Sequence, residues 1–243
     1  MKRDESNEPG QLPLTGERTV PGMASENYWF RRHEAAYHFA LRWARGPVLD
    51  VGCGEGYGAN MLSRSCRVVA LELDADASTH ASGKYPAVVV LRGDACRLPF
   101  RPRSFRTVIA LQVVEHLWCP EGMVEQAREI LAPGGAMVIS TPNRDTFSPT
   151  GTVNPFHAHE YTAKELTSLL SRAFDRVEVF GVRRGIYLES LDVLAAGSLQ
   201  HLLMTTPWEE LPSRLRTGVG LVRADHFSLG QAEGSLDLFA VAS

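Results

Sequence analysis

Residues 47–58 read Pro47-Val48-Leu49-Asp50-Val51-Gly52-Cys53-Gly54-Glu55-Gly56-Tyr57-Gly58, a short apolar run that breaks into a glycine-dense turn. The spacing predicts a strand over 47–51 and a helix over 57–65. Glycines in such a turn let the backbone adopt positive φ and let a ligand come close to the main chain. The first N–H groups of the following helix then face that ligand. Glu72 stands at the end of a second apolar run, Val68–Leu73, about 20 residues after Gly52. A carboxylate at that strand end can accept hydrogen bonds from both hydroxyls of a ribose.

Working outward, strand and helix patterns alternate. A helix is expected from Glu26 through about Arg45, with Ser25 or Asn27 as its cap and Gly46-Pro47 as its stop. After the glycine turn come a helix over 75–84, strands over 88–91 and 107–111, and a helix over 121–131 ended by Pro133-Gly134-Gly135. A strand over 136–140 and a helix over 162–174 follow, Thr162 and Glu165 having the spacing of a capping box. Two late strands are expected over 177–180 and 236–241. Buried strands alternating with helices imply a Rossmann-like three-layer α/β/α sandwich around a mostly parallel sheet. Residues 183–234, with helical stretches such as 188–203, are too long for an ordinary connection and read as a lid or a dimer contact. Residues 1–22 are polar and rich in Gly, Pro and Glu, so a flexible segment is expected there.

Composition narrows the function. Of 243 residues, 44% are hydrophobic and 22% charged, and the net charge of −3 gives no reason to expect nucleic acid or an acidic membrane surface as partner. No apolar run reaches the roughly 20 residues that cross a bilayer, and Met1–Gly10 has no apolar core, so a cytoplasmic protein without a signal peptide is expected. The four cysteines, Cys53, Cys66, Cys96 and Cys119, are scattered and read as reduced thiols rather than a zinc site or a disulfide framework.

The glycine turn and Glu72 suit two cofactors. Gly54-x-Gly56-x-x-Ala59 also fits the looser dinucleotide fingerprint, so an NAD-dependent oxidoreductase stays open. Against it, Asp50 precedes the first glycine, where it could meet an ammonium group, and Gly93-Asp94-Ala95 supplies an acceptor and a backbone contact for an adenine. The stretches VLDVGCGEGYG, VVALELD, GDACRLPF, FRTVIALQVVEHL and LAPGGAMVISTPN together resemble the ordered motifs of class I S-adenosylmethionine-dependent methyltransferases, over about residues 47–143. The resemblance implies that Asp50, Gly52 and Gly54 surround the methionine part of S-adenosylmethionine. It implies that Glu72 holds the ribose beside Leu73, that Asp94 and Ala95 hold the adenine, and that Gln112 lies near the sulfonium. It also implies a single domain over 23–243 with seven strands, the last antiparallel, and a helical insertion before it. In the run from Tyr28 to His33, Trp29 could close over the cofactor while Arg32 or His33 meets its carboxylate.

Candidate bases lie where parallel strands end. Neutral imidazole accepts a proton near pH 7, so His116, supported by Glu115, leads, with His157 and His159 next. The segment 112–116 resembles the Glu-x-x-Glu-His stretch of ubiquinone-pathway O-methyltransferases, which implies a divalent ion. Gln112 departs from that pattern, leaving Glu115, His116 and Glu160 as the ligands of a possible Mg²⁺ site. LTGERTVPG, ENYWFRRHE, VEHLW and STPNRDTFSPTG are similar to actinobacterial methyltransferases of polymethylated polysaccharide synthesis. That similarity implies a mannose or glucose hydroxyl as acceptor; Trp29, Trp118 and Tyr161 could stack on a sugar, and Asn143, Arg144 and Asp145 could bind hydroxyls. A quinone or phenolic acceptor is the alternative, and a homodimer through 183–234 is a further expectation.

Overall fold

The apolar runs become a sheet in a computed structural model that describes Leu12, residues 18–149, Gly151 and residues 154–243. Its first half runs α1 (Asn27–Ala40), β1 (Val48–Val51), α2 (Tyr57–Ser63), β2 (Val68–Glu72), α3 (Ala75–Lys84), β3 (Val89–Arg92), β4 (Phe105–Leu111) and α4 (Pro120–Ile130). The second half runs β5 (Leu131–Pro142), α5 (Arg144–Phe147), α6 (Ala163–Leu170), β6 (Val177–Arg184), α7 (Ile186–Leu194), α8 (Leu199–Thr205), α9 (Ser213–Gly220), β7 (Phe227–Gly230) and β8 (Asp237–Ala242). The strands form one sheet in the order β3-β2-β1-β4-β5-β8-β6-β7. Pairing from β3 through β5 is parallel, while β8 runs antiparallel between β5 and β6.

β1 is buried at every position and sits inside the parallel part of the sheet, so its exit loop opens at a place flanked by two other strand ends. Helices cover both faces. One apolar cluster packs α1, α2 and the α7–α9 region on the sheet through Tyr28, Tyr37, Leu62, Leu191 and Phe239. The other packs α4 and α6 through Met123, Ile130, Leu166 and Leu170. The capping box at the start of α6 is formed: the Glu165 carboxylate accepts from the Thr162 N–H at 2.8 Å, and the Thr162 hydroxyl accepts from the Glu165 N–H at 3.2 Å.

Several expectations change. The sheet has eight strands rather than seven, because Phe227–Gly230, inside the expected insertion, pairs antiparallel with the far half of β6. α1 is capped by neither Ser25 nor Asn27; Glu26 stands at its N-cap and makes no side-chain capping bond, and the Asn27 amide reaches to the Val219 and Val222 carbonyls instead. The helical stretch over 188–203 is broken, α7 and α8 being separated around Ala196 and Gly197, both at positive φ. Residues 183–234 pack against α1 and supply no residue to the lining of the cleft described below. Ile186, Val193, Leu194 and Met204 on this region are exposed and mark where a second copy would have to pack. Most of the expected flexible segment 1–22 lies outside the described residues; its end does not fit that expectation, since Thr19 and Val20 are buried. Against the expectation of four reduced thiols, Cys96 and Cys119 are joined as a disulfide, while Cys53 and Cys66 are free.

Candidate active site

The loop leaving β1 is built by glycine. Gly52, Gly54 and Gly56 all have positive φ, between 55° and 82°. A Cβ on Gly54 would meet nothing nearer than the Arg18 side chain at 3.8 Å, so it would project into open space above the loop. Gly58 answers to packing instead: a Cβ there would collide with the Tyr37 ring. This loop floors a cleft of about 450 Å³ at the C-terminal ends of β1, β2 and β4. Gly52, Gly54, Glu72, Leu73, Asp94, Ala95, Gln112 and His116 all line it, together with His33.

Glu72 is fixed by two backbone donors, its carboxylate accepting from the Gly54 N–H at 2.8 Å and the Asp74 N–H at 2.9 Å. The end of β2 is thereby tied to the glycine loop, with the carboxylate at the cleft wall. Asp94 accepts from the Cys96 N–H at 2.8 Å, which shapes the loop that carries Ala95. Gln112 is held at φ +56, an uncommon conformation for a side chain of its kind, and its amide donates to the Ser140 hydroxyl at 3.2 Å.

Three expected cofactor contacts fall elsewhere. Asp50 is fully buried beneath the loop, where the Tyr37 hydroxyl donates to its carboxylate at 3.1 Å. Burial pushes its carboxyl up to about 8, against the pull of the Tyr37 bond, with the Glu72 charge adding to the rise. Arg32 is buried too. Its Nε donates to Asp237 at 2.6 Å and its Nη1 to Gln200 at 2.8 Å, while Nη2 serves Asp237 and the Leu236 carbonyl. With its donors spent on β8 and α8, the guanidinium does not line the cleft. Trp29 packs edge-on against Tyr28 and under the Arg32 guanidinium, also away from the cleft lining. His33 does line it, and burial, followed by the charges of Arg32 and His116, lowers its imidazole to about 3, so it is neutral at pH 7.

At the end of β4 the chain turns through a short 3-10 segment, Val114–His116. The His116 Nδ1 lies 3.0 Å from the Phe156 carbonyl. A carbonyl only accepts, so Nδ1 carries the proton and the neutral ring keeps its lone pair on Nε2. Glu115 is buried, and burial raises its carboxyl to about 7 while the neighbouring His116 pulls it back. His157 lies next to them, its ring centroid 5.1 Å from that of His116. One ligand atom each of Glu115, His116 and His157 fall within 4.8 Å of one another.

Glu160, expected as a metal ligand, instead bonds the His157 Nδ1 at 2.9 Å from behind. The converged set is therefore one carboxylate and two imidazoles. Mg²⁺ prefers an oxygen-rich octahedral shell, so the expectation of Mg²⁺ does not fit these donors. His159 is exposed, packs its ring on Tyr161 and does not join the cluster. Tyr161 is buried, and Asn143 and Arg144 are spent on structure: the Asn143 amide donates to the Ser235 and Ala232 carbonyls, and Arg144 pairs with Glu165. Asp145 gives its backbone N–H to the Asn143 side chain at the start of α5. The same cleft is lined by residues that sequence reasoning passed over, notably Arg18, Thr19 and Tyr57. Glycine spacing could not find them, because Arg18 and Thr19 reach the cleft only through the packing of the segment before α1.

A glycine loop, an acid at the next strand end and an adenine-type loop around one cleft define a Rossmann-like protein built to hold a nucleoside. A family model described as "Methyltransferase domain" matches residues 49–139. A relative from Mycolicibacterium smegmatis described as a "Probable S-adenosylmethionine-dependent methyltransferase" is 43% identical, over 96% of this chain and 96% of its own. A Mycobacterium tuberculosis protein of the same description is 39% identical over 96% of this chain and 90% of its own. The chain belongs to the S-adenosylmethionine-dependent methyltransferases. Among solved structures, a Thermotoga maritima S-adenosylmethionine-dependent methyltransferase superposes with a TM-score of 0.62 at 18% identity, over 88% of this chain and 92% of that one. A [4+2]-cyclase does so at 0.56 and 15%, over 96% and 86%, so the fold alone does not fix the chemistry. The dinucleotide alternative gives way to S-adenosylmethionine. Among the described residues no helix is long and apolar enough to cross a membrane.

Proposed function

We propose that the chain methylates a hydroxyl of a saccharide, a mannose or glucose oligomer, with His116 as the general base. The observation that carries this reading is the bond from the His116 Nδ1 to the Phe156 carbonyl, which commits the basic nitrogen of a cleft-lining imidazole to Nε2. The residues fit the cofactor: the loop leaves open space above Gly54, and the Glu72 carboxylate is fixed at the wall. Glu72 would hold the ribose, Asp94 and Ala95 the adenine, and the glycine loop with Thr19 and Tyr57 the amino-acid tail.

The bound cofactor supplies an electrophilic methyl carbon on a sulfonium. The protein's work is then alignment and proton removal. Near-ideal alignment is worth about 7–11 kcal/mol, and a positioned base about 10²–10⁴-fold. An alcohol gains more from a base than a carboxylic acid, a phenol or a thiol does, because its proton is less acidic than theirs. Methyl transfer to an acceptor oxygen would leave S-adenosylhomocysteine, and His116 Nε2 would take up the hydroxyl proton. Buried Glu115 stands beside the imidazolium so formed and favours it by charge, and the Glu160 carboxylate orients His157 next to both.

The test is transfer of a labelled methyl group to mannotetraose, maltotetraose and catechol, with and without a chelator. Transfer to a saccharide, with turnover of His116→Ala lowered about 10²–10⁴-fold and affinity for S-adenosylhomocysteine unchanged, supports the reading. Transfer to catechol alone would replace it with a phenolic acceptor, and unchanged turnover in His116→Ala would remove the base. The expected cytoplasmic setting and the homodimer through residues 183–234 belong to the same proposal, the latter checked by sedimentation.

A further inference from the structure

The cofactor takes up most of the available room. A cleft of about 450 Å³ lies in the range that encloses one drug-sized molecule, and the cofactor is such a molecule. An acceptor must therefore approach the methyl carbon from the mouth of the cleft rather than lie enclosed beside it.

One large aromatic side chain stands exposed at that mouth, close to His116. Trp118 lines the cleft two residues beyond the histidine and is 76% exposed. The other three tryptophans are packed: Trp43 on Phe180 and Phe239, Trp29 on Tyr28, and Trp208 against the core. The loop bearing Trp118 is stapled, since the next residue, Cys119, is bridged to Cys96 beside the adenine loop, with the two Cα atoms 6.0 Å apart. A side chain as apolar as tryptophan left in water on a fixed loop, beside the proposed base, is a surface waiting for a flat partner.

We propose that Trp118 forms an open aromatic platform for one pyranose ring of the acceptor, and that this platform, rather than an apolar pocket, selects a saccharide. A pyranose has C–H faces that lie well on an aromatic ring and hydroxyls around its edge. Laid across the mouth, it turns that edge toward His116 while the rest of the oligosaccharide runs out into solvent. A quinone or phenol, apolar on both faces, would gain most from enclosure, which this mouth does not offer. The inference rests on the saccharide reading above. It selects Trp118 from the three aromatics that sequence alone placed at a sugar, since Trp29 and Tyr161 are committed elsewhere.

The test uses the full chain with mannotetraose, maltotetraose and catechol as probes. Trp118→Ala is expected to raise the KM for the saccharide about tenfold, leaving kcat within about twofold and the Kd for S-adenosylhomocysteine unchanged. Trp118→Tyr should recover most of the loss, because a flat ring is restored. An unchanged KM in Trp118→Ala, with the wild type still methylating a saccharide, overturns the platform alone. A rise in the S-adenosylhomocysteine Kd in step with KM would make Trp118 a structural residue and also overturn it. Wild-type transfer to catechol and to no saccharide would overturn the acceptor reading itself, and the platform with it.

Discussion

Replacing Asp237 by Asn tests whether Arg32 serves the fold or the cofactor. Asp237 is 1% exposed and Arg32 2%, and both carboxylate oxygens of Asp237 accept from the guanidinium. The substitution keeps the shape and removes the charge, leaving a guanidinium buried against a neutral amide. Removing one partner of a buried pair costs about 3–5 kcal/mol. For a chain of this size each kcal/mol moves Tm by roughly 2–4 °C, so a fall of about 6–20 °C is expected. Arg32→Met should cost a similar amount, and the Arg32→Met/Asp237→Leu double variant should regain much of it, because no charge is then stranded. Circular dichroism melts read the stability, and calorimetric titration with S-adenosylhomocysteine reads the site. Cofactor affinity should stay within about twofold in any variant that is folded at the working temperature, well below one tenfold step. A wild-type melt for Asp237→Asn, or an intact melt with lost binding for Arg32→Met, would refute the structural assignment.

Glu72→Ala is expected to weaken S-adenosylhomocysteine binding by at least about tenfold in Kd, the scale of one charge-assisted bond, with little change in Tm; an unaltered Kd contradicts the ribose assignment. Replacing Cys96 and Cys119 together by Ser should cost about 3 kcal/mol in urea unfolding, from the loop closed across a separation of 23 residues. Alkylation of all four cysteines in the unreduced wild-type protein would sink that expectation. Without cofactor, Asp50 binds its proton up to about pH 8 in the folded chain but only up to about 4 when unfolded. Its contribution to stability is thus full below about pH 4 and is lost as the pH rises through about 8. Asp50→Asn should flatten the fall of the urea midpoint between about pH 5 and 8, and parallel slopes for variant and wild type would count against a buried neutral carboxyl.

How far the sequence could be read followed from how local each feature is. The glycine turn, the acid of β2 and the helix over 75–84 depend on residues close together, and each stands where spacing put it. His116 and Glu115 could be singled out because strand ends carry chemistry in open sheets. The fate of Arg32 could not, because its partners, Gln200 and Asp237, lie some two hundred residues away in sequence and face it only through the order of strands. β7 escaped notice for a related reason: Phe-Ser-Leu-Gly alternates over only four residues, too short a run to read, and becomes a strand through its ladder with β6. The bridge from Cys96 to Cys119 likewise needs the adenine loop and the turn after β4 to lie side by side.

β8 occupies an interior place in the sheet although it follows every other strand in the sequence. Until it arrives, β5 offers an unpaired edge and the β6–β7 ladder has nothing to dock on. The parallel part of the sheet and the β6–β7 ladder are therefore joined only once the final strand is in place. The long wait is a window in which neighbouring nascent chains can pair with the bare edge, so a helper that shields it, or a lower temperature of synthesis, should improve recovery of the folded enzyme.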